Sequence, residues 1–524
     1  MSDQRVEVAV SGKNLAQASL WTNLRPSPTI EPADDGKNKD TRKFKLRPAP
    51  DTPLGIYALR LMGPAGLSNV ALFMVDDLST LRESGEHASQ SEAQDIPLSI
   101  AIEGAAEREA SDFFSFTADA DQRVSIEVVA RRFGSPMDPM LRVLDERGRE
   151  LAFADDDAST GADPRVSFVP PKAGRYWIEV RDSRYDGGKE HRYRLRVGNF
   201  PLVSAAYPLA VNPKNHEFPN LVSSKREPME FLVSQLPELN EQGEHTLRAQ
   251  FLPTLPSSLV RILVSDGFEQ LEAEPNDARD SATPIETTGA INGCLQTLRD
   301  RDYYRIALKR DRRIVLTSTT RSLGAPTHLR LRLFDPHDKL VADADDEGID
   351  EPSLAHVAAV DGEYRLLVEE LFGQGGPDHV YRLELCVASS DFALSAETDR
   401  YNASPGESFT VKVSANRSRF KGPINLILRG DNVSDWKLSD ETIAEGKNET
   451  SLKITLPKRY EVGDVVPFEV LGTATIDKRP VSIAVSVLSP LREELNGLRW
   501  PPSDLTHALW VGVMSHERSS KKKE

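Results

Sequence analysis

Two stretches of this chain, some 190 residues apart, carry the same order of residues. The first reads SDFFSF, SPMDPMLRVLDERGREL, ADDDASTGADPRVSF, KAGRYWIEV and YRLRV; the second reads RDYYRI, APTHLRLRLFDPHDKL, ADADDEGIDEPSLAH, VDGEYRLLV and YRLEL. Asp112 matches Asp302, Asp145 matches Asp335, Gly174 matches Gly362, Tyr176 matches Tyr364 and Tyr193 matches Tyr381. The offset drifts only from 190 to 188, so the copies differ by short loop insertions. A unit of roughly 110 residues is too long for a solenoid repeat and fits a duplicated domain with its own core.

The rest of the chain reads the same way. Short runs of alternating apolar and polar residues are separated by Pro and Gly, and long amphipathic patterns are absent before the C-terminal LREELNGL. The 35 prolines and 32 glycines are spread along the chain, as many short strands joined by turns require. The expectation is an all-β, multidomain chain of β-sandwiches. Residues 1–78 (VEVAV, RKFKLRPAP, GIYALRLMG, NVALFMV) read as an immunoglobulin-like sandwich. Residues 79–97 are polar and aperiodic, a linker; 98–199 are the first repeat copy; 200–270 a small β domain; 271–388 the second copy. Residues 389–490 read as another immunoglobulin-like sandwich, and 491–524 as a tail whose end, HERSSKKKE, is expected to be disordered.

The net charge of −16 argues against nucleic acid as a partner, because phosphate binding needs a basic face. It fits an exported protein or one that collects cations. No apolar run reaches the ~18 residues of a membrane span. The N-terminal MSDQRVEVAVSGKNL shows no signal peptide, so either the protein is cytosolic or a leader lies outside this sequence. Cys294 and Cys386 lie near the first and last strands of the second copy, where a disulfide and two separate buried thiols are both open.

Two acidic clusters carry chemistry. In EAEPND, Glu272, Glu274, Asn276 and Asp277 offer four oxygen donors within six residues, and Asp300 and Asp302 could complete a shell. Calcium takes six to eight oxygen ligands in flexible geometry, so the set suits it; the alternative is a solvated linker in which Asn276 and Asp277 cap a turn. The second cluster comprises Asp138, Asp155, Asp156, Asp157 and Asp163 in copy one, and Asp343, Asp345, Asp346 and Asp350 in copy two, where His328 replaces Asp138. So many carboxylates in one loop repel unless a cation neutralises them, or unless they sit in water as ordinary turn residues. Tyr176, Trp177, Tyr185 and Tyr193 could form an aromatic platform, but alternation in RYWIEV places at least one of Tyr176 and Trp177 in the core. No HExxH, GxSxG, P-loop or dinucleotide motif occurs; Ser68 has no GxSxG frame, and His216, His245 and His356 are isolated. No catalytic and no organic-cofactor residues are assigned.

Both copies resemble the bacterial pre-peptidase C-terminal domain, a jelly-roll-type β-sandwich found beside secreted proteases and in large exported proteins. The resemblance rests on EAEPND, IETTGAINGCL, RDRDYYRIAL, LRLRLFDPHDKLVADADDEG, DGEYRLLVEE and VYRLELCV, and covers 271–388; the first copy matches from SIAIEGAAEREASDFFSF, with ESGEHASQSEAQ where the entry motif would stand. VEVAVSGKNLAQAS, TPLGIYALRL and GLSNVALFMVDDL resemble the immunoglobulin-like module that precedes this domain in exported planctomycete-type proteins. The resemblance implies that Glu272, Glu274, Asn276 and Asp277 hold calcium. It implies an exported, extracellular or periplasmic, non-catalytic protein that binds or spaces polysaccharide, peptide or protein at a surface. The competing expectation is an accessory part of a secreted hydrolase.

Overall fold

The computed structural model describes residues 6–212, 214, 220–223, 232–234, 243–346, 350–387, 391–476 and 478–515. The chain is all-β and forms two compact units, one of residues 76–389, the other of 1–75 together with 390–524. Among the described residues no helix is long and apolar enough to cross a membrane.

The first repeat copy is a sandwich of two five-stranded sheets. One sheet runs, in spatial order, Arg165–Phe168, Val124–Val129, Arg192–Gly198, Ile100–Ala105 and Ser79–Arg82; the other runs Glu150–Ala154, Pro139–Leu144, Gly174–Asp182, Asp112–Ala118 and Gln94–Asp95. The second copy repeats the order strand for strand. Its sheets are Ser353–Val357, Arg313–Thr319, Val380–Val387, Gly289–Cys294 and Glu269–Leu271, facing Leu340–Asp345, Leu329–Phe334, Gly362–Glu370, Arg301–Leu308 and Thr283–Pro284. Register is preserved as well: Asp112 lies opposite Val180, and Asp302 opposite Val368. Alternation along each strand sends one face inward. Phe114, Phe116, Tyr176, Ile178 and Val180 fill the first core, and Tyr304, Ile306, Tyr364, Leu366 and Val368 the second.

The expected linker over 79–97 is part of the first sandwich. Ser79–Arg82 adds in parallel to Ile100–Ala105, and Gln94–Asp95 adds in parallel to Asp112–Ala118. All four side chains of Ser79–Arg82 are exposed, so this edge strand carries no hydrophobic alternation by which it could be recognised. Residues 200–270 add a sheet of Ala210–Val211, Ser258–Val264, Gly243–Gln250 and Leu232–Ser234, beside the pair Val203–Tyr207 and Asn220–Ser223. Tyr176 and Tyr193 are core residues, Trp177 is half-buried and Tyr185 lies at the surface against Arg181, so the four form no common platform.

In the other unit, the tail joins the fold. Leu488–Glu494 is helical, and Leu509–Val513 pairs in parallel with Arg400–Ala403 and antiparallel with Val465–Ile476. Trp510 packs on Trp21 with ring centroids 4.3 Å apart, and buried Arg60 pairs with Asp399. Residues 1–75 and 390–515 therefore share one compact unit, and the final HERSSKKKE, expected to be disordered, lies outside the described residues.

Cys294 and Cys386 are free. The Cα partner of Cys294 on the last strand is Val380, six residues from Cys386, so pairing puts the two thiols at opposite ends of that strand. Cys294 is buried, and burial together with nearby Glu272 pushes its thiol up to about 12. Cys386 is exposed. An aromatic disulfide reagent should therefore titrate one thiol in the native protein and two after unfolding; two fast thiols would contradict this packing.

A buried charge network fastens the first sandwich. Arg196 donates to Asp76 at 2.9 Å and to Glu127 at 2.5 Å; Arg132 donates to Glu127 at 2.8 Å and to Asp163 at 2.7 Å. Burial alone would raise the Glu127 carboxyl, but the guanidinium groups of Arg132 and Arg196 override it and hold it at about 2. Its folded value lies below the ordinary ~4.3, so its contribution is complete above that value and is lost as pH falls through about 2. Glu127→Gln should cost about 2 kcal/mol at pH 7, because Arg132 and Arg196 each lose one of their two carboxylate partners and keep Asp163 and Asp76. In urea titrations the gap to the parent should narrow toward pH 2; a gap independent of pH would count against the network.

Candidate metal centre

The EAEPND segment enters the second sandwich just after the edge strand Glu269–Leu271, which pairs with Gly289–Cys294. That pairing sets the Glu272 carboxylate over the neighbouring strand: Oε1 accepts from the Cys294 backbone N–H at 2.6 Å, and Oε2 from the Tyr304 hydroxyl at 3.2 Å. Asp302, at the start of the facing sheet, is buried and accepts from the Tyr381 hydroxyl. The Tyr303 N–H donates to the Asn276 carbonyl at 3.0 Å, which ties the entry segment to the same strand.

Asn276 is fully buried between these groups. One terminal atom of its amide lies 3.2 Å from both Glu274 Oε2 and Asp302 Oδ1. With nitrogen there, the amide donates to both carboxylates. With oxygen there, three oxygens converge, which needs either a carboxyl proton or a cation among them. Oxygens of Glu272, Glu274 and Asp302 lie within 4.8 Å of one another, as do those of Glu274, Asp277 and Asp300. Glu274 is shared, so the two triads are continuous. Asp300 is oriented by the backbone N–H groups of Gln296 at 2.5 Å and Thr297 at 3.2 Å.

The electrostatics follow from burial. Desolvation, with the neighbouring carboxylates, pushes Glu272 up to about 7 and Asp302 up to about 9. Glu274 is raised by desolvation, and Asp277 is raised chiefly by its hydrogen bond to Asp300. A cluster of acids that resists ionisation is the expected electrostatic state of a site that collects positive charge. The six residues are all oxygen donors, so they match a hard cation of the calcium type.

The second acidic set is divided by the structure. Asp163 is fully buried and accepts from the N–H groups of Ala130, Arg131 and Arg132 and from the Arg132 side chain. Asp157 pairs with Arg165 at 2.7 Å, Asp343 with Arg330 at 2.7 Å, and Asp346 with Arg321 and His328. Guanidinium groups, rather than a shared cation, relieve the repulsion at these positions. Asp345 lies across from Arg330 in the strand pair, and Asp350 is exposed. Asp138, Asp155 and Asp156 remain near one another: the Asp156 carboxyl is raised by burial and by the other two. Asp138 also accepts from the Ser183 hydroxyl at 2.6 Å.

Sequence reasoning missed the counterpart in copy one. Glu83 accepts from the Ala105 N–H at 3.1 Å, the Tyr193 hydroxyl donates to Asp112 at 2.8 Å, and the Phe113 N–H donates to the His87 carbonyl at 2.7 Å. These contacts repeat those of Glu272, Asp302 and Asn276. The signal was available: laying ESGEH on EAEPN sets Glu83 on Glu272 and His87 on Asn276.

Both clusters depend on a glycine. A Cβ at Gly293 would fall 2.3 Å from the Tyr381 ring and hydroxyl and 2.7 Å from Glu272; one at Gly104 would fall 2.4 Å from Tyr193 and Glu83. Gly293→Ala should destabilise the second sandwich by about 1–3 kcal/mol through overpacking. Denaturant titration checks it, and a change below about 0.5 kcal/mol would mean that the tyrosine yields freely.

A family model described as the bacterial pre-peptidase C-terminal domain matches residues 110–182, within the first sandwich. No curated protein matches the chain. Solved structures with some likeness include a protein of Eubacterium rectale, at 8% identity and a TM-score of 0.17 over 57% of this chain and 81% of that one. Another is a DUF4785 family protein of Legionella pneumophila, at 9% identity and a TM-score of 0.14 over 38% of this chain and 61% of that one. Likeness at these scores bears on neither fold nor function.

Proposed function

We propose that this chain is an exported, non-catalytic binding or spacer protein whose second sandwich, a further pre-peptidase C-terminal-type domain, is stabilised by calcium. The observation that carries the reading is the convergence of Glu272, Glu274, Asn276, Asp277, Asp300 and Asp302 at the mouth of that sandwich, with Asn276 and Asp302 buried. An amide and five carboxyls form an oxygen-only donor set of the size calcium uses. Calcium there would neutralise acids that burial otherwise keeps from ionising, and would fasten the entry segment to the sheet. The sequence match of residues 110–182 to a domain found beside secreted proteases supports export. The role is placement of β-domains at a cell surface or matrix, with polysaccharide, peptide or another protein as the target.

Thermal unfolding of the full chain in calcium and in chelator tests the reading. Calcium at 100 times its Kd adds about 2.7 kcal/mol to the state that binds it, and should raise the transition of the second sandwich by several degrees. Glu274→Ala and Asp277→Ala should abolish the rise while leaving the melt in chelator nearly unchanged, since both side chains are exposed. Identical melts in calcium and chelator would overturn it.

A further inference from the structure

The two entry sites share a scaffold but not a donor set: copy one keeps the counterparts of Glu272 and Asp302, places His87 at Asn276, and has Gly85, Ala88 and Ala110 where Glu274, Asp277 and Asp300 stand. In the second sandwich the position between the carboxylates is the buried Asn276; in the first it is the partly buried His87. We propose that Glu83, His87 and Asp112 form a separate site for a transition-metal dication of the zinc type, distinct in selectivity from the oxygen-only site of the second copy.

The donor atoms of the three residues lie within 4.8 Å of one another. His87 Nδ1 stands 3.3 Å from Asp112 Oδ1, so Nδ1 is the nitrogen that would share an ion with Asp112; the Glu83 carboxylate stands 3.9 Å from the other ring nitrogen, Nε2, and would have to turn toward Nδ1 to join it. The His87 side chain is nine-tenths buried, and its ring packs on Phe114 with centroids 5.4 Å apart. Despite the short separation from Asp112, Nδ1 is not aligned for a hydrogen bond and has no hydrogen-bond partner. With the imidazole proton on Nε2, Nδ1 and Asp112 Oδ1 are two Lewis-basic atoms at a separation that suits a shared cation, which would replace the ion pair that a doubly protonated ring makes with Asp112. Zinc–nitrogen and zinc–oxygen bonds of ~2.0–2.1 Å in a tetrahedron separate neighbouring ligands by about 3.3–3.4 Å.

The supporting contacts point the same way. Tyr193 donates to Asp112 Oδ2, which leaves Oδ1 facing the imidazole, and the Ala105 N–H holds Glu83. Such outer contacts orient ligands around a metal. Imidazole nitrogen with two carboxylate oxygens is a borderline set that favours zinc, cobalt and their neighbours over calcium, whereas the Asn276 site offers no nitrogen ligand to such an ion.

Visible absorption of Co²⁺ tests the proposal in the full chain, stripped first with chelator. One equivalent of Co²⁺ should produce a ligand-field band that stoichiometric Zn²⁺ removes and excess Ca²⁺ does not. His87→Asn, which copies the second sandwich, should abolish the band or weaken binding at least about tenfold. Glu272→Gln should leave the band intact while reducing any calcium response, so failure of this proposal is separable from failure of the calcium reading. If His87→Asn does not fold, judged by its melt in chelator, Glu83→Gln is read in the same way. Absence of Co²⁺ and Zn²⁺ binding, or a band unchanged in these variants, would overturn the site.

Discussion

A tyrosine hydroxyl meeting an aspartate across the two sheets is the interaction on which each repeat copy turns. Tyr193 and Tyr381 come from the central strand of one sheet, Asp112 and Asp302 from the start of a strand in the other. The bond crosses the open end of the sandwich, where the apolar filling stops and both partners are still buried. A buried carboxylate without a donor is costly, so the tyrosine satisfies the acid and joins the sheets in one contact. Close approach of the backbone at Gly104 and Gly293 is what lets the ring reach that far.

That clasp also explains why the entry segments matter. Glu83 and Glu272 arrive from edge strands, lie over the equivalent glycines and complete a set of acids, and burial raises the carboxyl of each glutamate above its ordinary value. Positive charge is the natural complement of such a set. Elsewhere in the first sandwich it is supplied internally: Arg132 and Arg196 neutralise Glu127, Asp163 and Asp76. At the two mouths no arginine is among the groups that hydrogen-bond Glu272, Asp302 or Asp112; in the first copy the imidazole of His87 lies in ion-pair range of Asp112 and Glu83. The copies share the glutamate, the aspartate and the tyrosine of this frame and differ in the rest: His87 stands at Asn276, and Gly85, Ala88 and Ala110 stand at Glu274, Asp277 and Asp300.

The all-β character and the duplication were legible in the sequence because they rest on local signals: period-two alternation, turn residues and a constant offset between matching aspartates and tyrosines. The grouping of EAEPND with Asp300 and Asp302 was legible for a related reason, since a sandwich brings the start of a strand beside the segment that pairs next to it. The aspartate loops were harder. Asp157 and Asp163 read as members of a cation-binding cluster or as solvated turn residues in ADDDASTGADPRV, yet their partners Arg165 and Arg132 are set by how the chain folds back, not by spacing.

The sequence by itself determined the all-β character, the duplicated frame and the oxygen-bearing residues of EAEPND with Asp300 and Asp302, because side-chain alternation and motif order are properties of the chain as written. Tertiary structure alone decided which acids are neutralised by arginine and which are left to face one another. It also decided that Ser79–Arg82 is an edge strand, that Leu509–Val513 joins a sheet, and that Cys294 and Cys386 stay apart. These depend on pairing between distant segments, and pairing energy comes from backbone hydrogen bonds and burial that no local pattern encodes.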